Sequence, residues 1–201
     1  MLKVGLTGGL ACGKTFVGEA LEGCGCHLIQ ADELGHAVLA SGGEAFQPVV
    51  KEFGRDILNA AGEIDRRSLA SLVFGNPEAL ARLNGLVHPA VIRREEEMAR
   101  EFAAREPKAI VVVEAAILIE TGSYKRFDRL ILVTCSEEEQ LQRAMRRDGA
   151  SEDAVRARLN QQMPLEEKRK FADFVIDTSG SKEETLRQTR TVYEALRRIE
   201  I

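Results

Sequence analysis

Tryptophan is absent from the 201 residues, and aromatic residues of all kinds make up only 5% of them. Surfaces that bind single-stranded nucleic acid stack bases on aromatic side chains, so this scarcity argues against such a surface. A formal net charge of −4 also disfavours extensive contact with a phosphate backbone. The composition therefore predicts no nucleic-acid partner.

Long apolar runs are missing too, because no 18-residue stretch is hydrophobic enough to predict a membrane span. The apolar start, residues 1–6, is followed early by Lys14 and by no small-residue cleavage site. It therefore predicts a buried first strand, not a signal peptide. No membrane partner is expected, and the cytoplasm is the expected location.

Cysteines are few and lie outside the usual metal and redox spacings, at positions 12, 24, 26 and 135. Cys24 and Cys26 are one residue too close for a Cys-x-x-Cys pair, and the three histidines complete no ligand set. The favoured interpretation is reduced, buried or half-buried thiols of a cytosolic protein. Cys12 lies at the N-terminus of a predicted helix, where the pKa of a thiol can be lowered. We therefore hypothesise that oxidation of Cys12 reduces ATP binding.

What the sequence does contain is an alternation of β-like and helical segments. Five short apolar runs predict strands at residues 3–7, 27–31, 109–114, 129–135 and 174–177. Two of them are continuously apolar, as strands covered on both faces are. The alternation with helix-length patterns predicts an α/β fold with a five-stranded parallel sheet flanked by helices.

Two insertions interrupt this alternation. The first, residues 33–106, predicts helices at 67–74, 77–86 and 91–105, with His88-Pro89 as a surface junction between two of them. In the second, residues 136–170, Ser136 and Ser151 each precede carboxylates and predict helix starts. A final amphipathic helix is predicted at 182–198.

The strongest motif is Gly8-x-x-x-x-Gly13-Lys14-Thr15, a complete phosphate-binding loop between a predicted strand and a predicted helix. Backbone amides of such a loop surround the phosphates, and the helix N-terminus adds positive potential. Lys14 is expected to reach the β- and γ-phosphates and Thr15 to bind Mg²⁺ through its hydroxyl. The motif predicts binding of a nucleoside triphosphate but does not identify the acceptor.

Two acidic residues follow predicted strands, where the ligand crevice of a parallel sheet lies. Asp32 either has a functional role, in which it accepts a hydroxyl proton, orients the nucleophile or holds a metal through water, or it caps the next helix. Glu114 either binds the metal indirectly, as an Asp at this place does in many P-loop proteins, or pairs with a neighbouring basic residue. The residues alone leave both pairs of alternatives open.

Three arginines, Arg143, Arg146 and Arg147, share one face of a predicted helix. They could lie on a mobile lid and neutralise charge on the transferring phosphoryl group. The alternative is a solvated face paired with the acidic run 137–139.

Taken together, these segments resemble the dephospho-coenzyme A kinase family over essentially the whole chain. The resemblance is carried by ordered matches: Leu6 to Thr15, Gln30-Ala31-Asp32, Arg66 to Leu69 with Val73-Phe74, Leu83-Asn84 to His88-Pro89, Gln140-Leu141-x-Arg143, Arg147-Asp148, Gln162-Met163-Pro164 and Ala172 to Asp177. It implies transfer of the ATP γ-phosphoryl to the ribose 3′-hydroxyl of dephospho-coenzyme A, with Mg²⁺.

The resemblance also implies a division of the P-loop kinase fold and a set of roles. Residues 1–34, 107–139 and 171–201 would form the nucleotide-binding core, 35–106 the helical acceptor domain and 140–170 the lid. Lys14, Asp32, Arg143 and Arg147 would act in catalysis. The residues that would bind the donor are Gly8, Ala11, Cys12, Gly13, Lys14, Thr15 and Gly180, and Gly180 would lie near adenine. Asp32, His88 and Glu120 would bind the acceptor. Thr15 would also bind the metal.

The chain departs from the family pattern at several of these positions. Ala11 and Cys12 replace Gly and Ser in the loop, Glu114 replaces an Asp, and Thr178 stands where Asn is usual. Two rival functions are another small-molecule P-loop kinase and a nucleotide-dependent adaptor that recruits a partner.

Overall fold

A computed structural model describes residues 1–200, and its centre is a five-stranded sheet. The strands are β1 (Leu2–Gly8), β2 (His27–Gln30), β3 (Ile110–Glu114), β4 (Arg129–Thr134) and β5 (Phe174–Asp177). They lie in the order β2-β3-β1-β4-β5, and the pairs β1–β3, β1–β4 and β4–β5 are parallel. The predicted α/β fold with a five-stranded parallel sheet is confirmed.

Nine α-helices surround or follow these strands within the described residues. They are α1 (Lys14–Gly23), α2 (Ala31–Leu39), α3 (Phe46–Phe53), α4 (Arg66–Val73), α5 (Pro77–Arg105), α6 (Glu137–Asp148), α7 (Glu152–Leu159), α8 (Leu165–Arg169) and α9 (Lys182–Arg197). Short 3₁₀ turns occupy Arg55–Ile57 and Ser123–Arg126. None of the helices in residues 1–200 combines the length and the hydrophobicity needed to cross a bilayer.

The chain divides into two compact units. The first contains Met1–Ile29 and the chain from Glu101 onward, and the second contains Gln30–Arg100. In the first unit, Val4, Val112 and Ile131, one from each of the three central strands, are completely buried. Residues from α1 and α9 pack against them. Val111 and Val113, which point to the opposite face of β3, are also completely buried, so both faces of this strand are enclosed.

The register of the central strands places the phosphate-binding loop. Gly8, the last residue of β1, pairs with Val133 near the end of β4, and Leu6 pairs with Glu114 at the end of β3. The loop therefore leaves the sheet at the edge where β3 and β4 also end, which is where ligands bind in open parallel sheets.

The second unit has its own apolar core. Val38, Val49, Ile57, Leu69 and Ala90 are buried in it, and they come from α2, α3, α4, α5 and the first 3₁₀ turn. Asp65 begins α4 by accepting hydrogen bonds from the backbone amides of the second and third residues after it. This unit is a helical cluster, as the inserted segment predicts.

The prediction of a helix junction at His88-Pro89 is wrong. One continuous helix, α5, runs through both residues, and Pro89 lies inside it. A proline in a helix loses one backbone hydrogen bond and clashes with the carbonyl four residues earlier, here that of Gly85. The apolar residues on both sides, Leu86 and Val91, pack into the same core, so their burial offsets the cost of the proline.

Candidate active site

The loop Gly8–Thr15 connects β1 to α1 and contains two residues with left-handed backbone conformations. Ala11 has φ 55 and Gly13 has φ 77, both in the left-handed region, and Cys12 lies between them. Gly13 is the N-cap residue of α1. A loop of this shape turns successive amides inward above a helix N-terminus, which is the arrangement that binds anions.

The first two glycines of the loop are required by close packing. A Cβ on Gly8 would lie 2.4 Å from the carbonyl oxygen of Val133, and one on Gly9 would lie 2.4 Å from the side-chain nitrogen of Gln140. Backbone atoms of a sheet cannot move away cheaply. Gly8 is therefore required by the packing of β1 against β4.

Lys14 and Thr15, the first two residues of α1, face the interior of the loop and the end of β3. The Lys14 Nζ donates to the carbonyl of Gly9 at 3.3 Å, so the ammonium bends back over the loop. The Thr15 hydroxyl donates to the carboxylate of Glu114 at 2.9 Å. Two oxygen groups thus lie together beside the loop, and hard cations such as Mg²⁺ prefer oxygen ligands.

Two glutamines hold the loop from the side of the second insertion. The backbone amide of Leu10 donates to Gln162, and Gln140 donates to the carbonyl of Leu10. The sequence interpretation assigned neither residue to the site. The signal was present, because Gln140-Leu141 and Gln162-Met163-Pro164 are among the matches that carry the family resemblance.

Thr178, just after β5, joins three parts of the site. Its hydroxyl donates to the carbonyls of Cys12 and Thr134, and it accepts a hydrogen bond from Arg143. A second nitrogen of Arg143 donates to the Thr178 carbonyl, and the same guanidinium pairs with Glu139 at 2.7 Å. Arg143 is therefore anchored at the loop after β5, although its pairing with Glu139 also matches the solvated-face alternative.

Arg147 and Arg158 converge on one carboxylate at the end of α6. Arg147 contacts both oxygens of Asp148, at 2.7 and 3.1 Å, and Arg158 donates to Asp148 at 2.5 Å. The hydrogen bonds from Arg147 and then Arg158 hold the pKa of Asp148 well below its usual range. Two cations spaced to share one carboxylate are also spaced to share a phosphate oxygen.

Gly180 and Glu120 occupy different surroundings. Gly180 is exposed and lies two residues before α9, whose N-cap is Ser181. Glu120 lies in the segment after β3 and pairs at 2.7 Å with Lys168, whose side chain is fully buried. A role for Glu120 toward the acceptor stays a prediction.

Asp32 and His88 belong to the second unit. Asp32 is exposed in the first turn of α2, and the N-cap of that helix is Gln30. The alternative that Asp32 caps the helix is therefore wrong, because α2 begins one residue earlier, at Ala31. His88 is half-buried in α5, and its pKa is lowered by burial, an effect that the charge of Glu95 partly offsets.

Comparisons with known proteins agree with this geometry. A family model described as dephospho-CoA kinase matches residues 2–184. The dephospho-CoA kinase of Aquifex aeolicus is 40% identical over 198 residues, which cover 98% of this chain and 99% of that protein. Among solved structures, the protein TT1252 from Thermus thermophilus is 34% identical with a TM-score of 0.80, and the alignment covers 96% of both chains. Dephospho-CoA kinase from Campylobacter jejuni is 28% identical with a TM-score of 0.69 and the same coverage of both chains. The chain belongs to the dephospho-CoA kinase family.

Proposed function

We propose that this protein transfers the γ-phosphoryl group of ATP to the ribose 3′-hydroxyl of dephospho-coenzyme A, giving coenzyme A and ADP. This is the last step of coenzyme A biosynthesis. The observation that carries the proposal is the complete phosphate-binding loop, held in shape by Gln140, Gln162 and Thr178, in a chain of this family. The enzyme is an ATP-dependent kinase.

The donor side of the proposed site is the loop and the first turn of α1. Backbone amides from Gly8 to Thr15 would surround the phosphates, while Lys14 would exchange its contact with the Gly9 carbonyl for phosphate oxygens. The transition state of phosphoryl transfer spreads negative charge over the oxygens of the transferred group. A cation fixed beside those oxygens stabilises that charge more than it stabilises bound ATP.

Residues that fit Mg²⁺ are also present on the donor side. Thr15 would hold the ion through its hydroxyl and Glu114 through its carboxylate, directly or through water, since these oxygens already lie 2.9 Å apart. No group of three His, Cys, Asp or Glu side chains in residues 1–200 is arranged to bind a metal alone. Magnesium bound together with phosphate oxygens, as in other kinases, fits that arrangement and would supply charge neutralisation.

The acceptor side is proposed from Asp32, with His88 and Glu120 as further contacts. The exposed Asp32 carboxylate can accept a hydrogen bond from the ribose hydroxyl and orient its oxygen toward phosphorus. Residues 35–106 are proposed as the acceptor domain and 140–170 as a lid. Within that lid, Arg147 would exchange Asp148 for a phosphate oxygen, while Arg143 would act from its position at Thr178.

The test is formation of coenzyme A from Mg-ATP and dephospho-coenzyme A by the purified protein. Lys14→Met should lower kcat by about 10²–10³-fold, because it removes a charge aimed at the transferred group. Asp32→Asn should lower kcat by about 10²–10⁴-fold, the range for a general base.

Matched controls change the same residue types at exposed positions. Lys51→Met and Asp56→Asn alter exposed side chains of the second unit, so both should keep the rate of the unmodified protein. An Asp32→Asn enzyme with near-normal kcat would remove that residue from the mechanism. A protein that consumes ATP with another acceptor but not with dephospho-coenzyme A would favour the other P-loop kinases, and one that turns over no small acceptor would favour the adaptor.

A further inference from the structure

Two cysteines meet directly beneath the phosphate-binding loop. Cys12, inside the loop, and Cys135, the first residue after β4, have their sulfur atoms 3.3 Å apart. Both side chains are buried, and neither forms a disulfide. The backbone holds them close, because Gly8 pairs with Val133 and the Thr178 hydroxyl bridges the carbonyls of Cys12 and Thr134.

The pair is electrostatically asymmetric. The Cys135 thiol donates a hydrogen bond to the Cys12 sulfur, which lowers the pKa of Cys12, and the positive charge of Lys14 lowers it further against the effect of burial. The same hydrogen bond, together with burial, raises the pKa of Cys135. Cys12 is therefore the more acidic thiol of the pair, and Cys135 is the hydrogen-bond donor. A thiolate beside a second thiol is the arrangement that forms disulfides.

A cavity in the first unit reaches this pair from the Cys135 side. Its volume is about 740 Å³, and Cys135 and Gly9 both form part of its wall. A Cβ on Gly9 would lie only 3.0 Å from the Cys12 sulfur, so that sulfur lies just behind the part of the wall that has no side chain. The Cys12 side chain itself is completely buried, so peroxide in the cavity is expected to reach its sulfur when the loop opens locally at Gly9.

We propose that Cys12 and Cys135 are a peroxide-sensitive dithiol that closes to a disulfide and thereby slows phosphoryl transfer. The bond itself is independent of the activity, whereas its effect on turnover rests on the function proposed above. The Cys12 thiolate attacks one peroxide oxygen and breaks the O–O bond, which gives a sulfenic acid and hydroxide. The Cys135 thiol then attacks the sulfenic sulfur and releases water. In total, two thiols and one peroxide give one disulfide and two water molecules.

Closing the bond must move the loop. A disulfide has an S–S length of about 2.0 Å, so sulfur atoms now 3.3 Å apart must approach by more than 1 Å. Cys12 carries two loop contacts, its amide to the Gly9 carbonyl and its carbonyl to Thr178, and these move with it. Misplacing a reacting group by about 1 Å costs about 10²-fold in rate, and the loop positions the phosphoryl group through its amides.

The other two cysteines provide an internal comparison. Burial raises the pKa of Cys26 to about 12, so its thiol is a poor nucleophile. Cys24 is half-buried, and it lies in the short connection between α1 and β2. Their backbone amides donate to the carbonyls of Ala20 and Leu21 in α1. Oxidation confined to Cys24 should therefore leave turnover unchanged.

The experiment treats the whole protein with limited hydrogen peroxide and digests it with trypsin without reduction. A Cys12–Cys135 bond joins peptide 4–14 to peptide 130–143 with the loss of two hydrogen masses, and dithiothreitol separates them. The same samples should lose about 10²-fold in kcat/KM for ATP and recover it after reduction. Cys135→Ser should give no linked peptides under peroxide, whereas the matched control Cys24→Ser should be linked and inhibited like the unmodified protein.

Two results would overturn the proposal. One is peroxide-treated protein in which Cys24 is oxidised while peptides 4–14 and 130–143 remain unlinked. The other is linked protein that keeps the kcat/KM of the reduced form. The linkage is detected by mass and does not depend on activity. A protein without dephospho-coenzyme A kinase activity would therefore still show whether the bond forms, so failure of the proposed function can be distinguished from failure of the disulfide proposal.

Discussion

Ala11 adopts a backbone conformation that glycine adopts at lower cost. Its φ of 55 lies in the left-handed region, where a Cβ costs about 1–2 kcal/mol. Glycine also loses more conformational entropy on folding than alanine does, and this loss offsets about 0.5–1 kcal/mol of the gain. Ala11→Gly, which also restores the residue usual in the family, should therefore raise the free energy of unfolding by about 0.5–1 kcal/mol.

Urea unfolding measures this change. The matched control is Ala20→Gly in the interior of α1, which should lower the free energy of unfolding by about 1 kcal/mol, because glycine is unfavourable there. Equal destabilisation by both variants would show that the left-handed conformation of Ala11 stores no strain.

His88 makes the stability depend on pH. Burial lowers its pKa below the ordinary value of 6.5, so the folded protein binds fewer protons at this position than the unfolded chain does. Neutral His88 makes its full contribution to the free energy of unfolding above pH 6.5. This contribution is lost as the pH falls from 6.5 toward the lower pKa of the folded protein, because protons bind the unfolded chain first. The free energy of unfolding should therefore decrease between pH 7.5 and pH 5.5, and His88→Gln should reduce the decrease. An unchanged pH dependence in that variant would contradict this origin.

Among single residues, the sequence predicted those whose chemistry follows from local spacing. Gly13, Lys14 and Thr15 are recognisable because the loop needs each type at a set distance from the next. The partners that come from distant segments were not predictable in this way. The contact of Cys12 with Cys135 spans 123 residues, and it depends on the parallel pairing of β1 with β4.

At the scale of elements, one buried ion pair joins α8 to the segment after β3. The Lys168 side chain is fully buried, whereas Glu120 retains 21% exposure. The Lys168 Nζ makes no well-aligned hydrogen bond in addition to this contact. Removing Glu120 therefore leaves a charge without a partner in the interior, while removing Lys168 leaves a carboxylate that water still reaches.

This asymmetry predicts unequal effects of two substitutions. Glu120→Gln should lower the free energy of unfolding by about 3–5 kcal/mol, the range for a buried charge that has lost its partner. Lys168→Met should cost clearly less, because methionine fills much of the same volume without a charge. Urea unfolding of both variants measures the difference. If Lys168→Met lowered the free energy of unfolding more than Glu120→Gln did, Lys168 would not be the charge whose burial depends on its partner.

Elements were predictable where the local pattern was unambiguous. The strands match their predicted positions within one residue at each end, because each follows a short and mainly apolar run. The predicted caps at Ser136 and Ser151 are confirmed by hydrogen bonds from Glu139 and Ala154. The one helix predicted as two, α5, shows the limit: proline signals a break locally, but apolar burial on both sides overrides it.

For the whole molecule, the fold class followed from the alternation of segments, but the strand order did not. The order β2-β3-β1-β4-β5 depends on pairings between segments up to about 130 residues apart, which no local pattern encodes. The two compact units divide at residues 30 and 100. The domain boundaries at 35–106 and 140–170, the cytoplasmic location and the absence of a nucleic-acid partner stay predictions.

The central claim concerns which hydroxyl receives the phosphoryl group. The most direct measurement incubates the purified protein with γ-³²P-labelled Mg-ATP and dephospho-coenzyme A, and determines the labelled position in the product. Lys14→Met serves as the control for contaminating kinases. We expect coenzyme A labelled on the 3′-phosphate, no labelled product from an acceptor without the 3′-hydroxyl, and almost none from the variant. Label transferred equally to the acceptor without that hydroxyl, or equal transfer by Lys14→Met, would contradict the account.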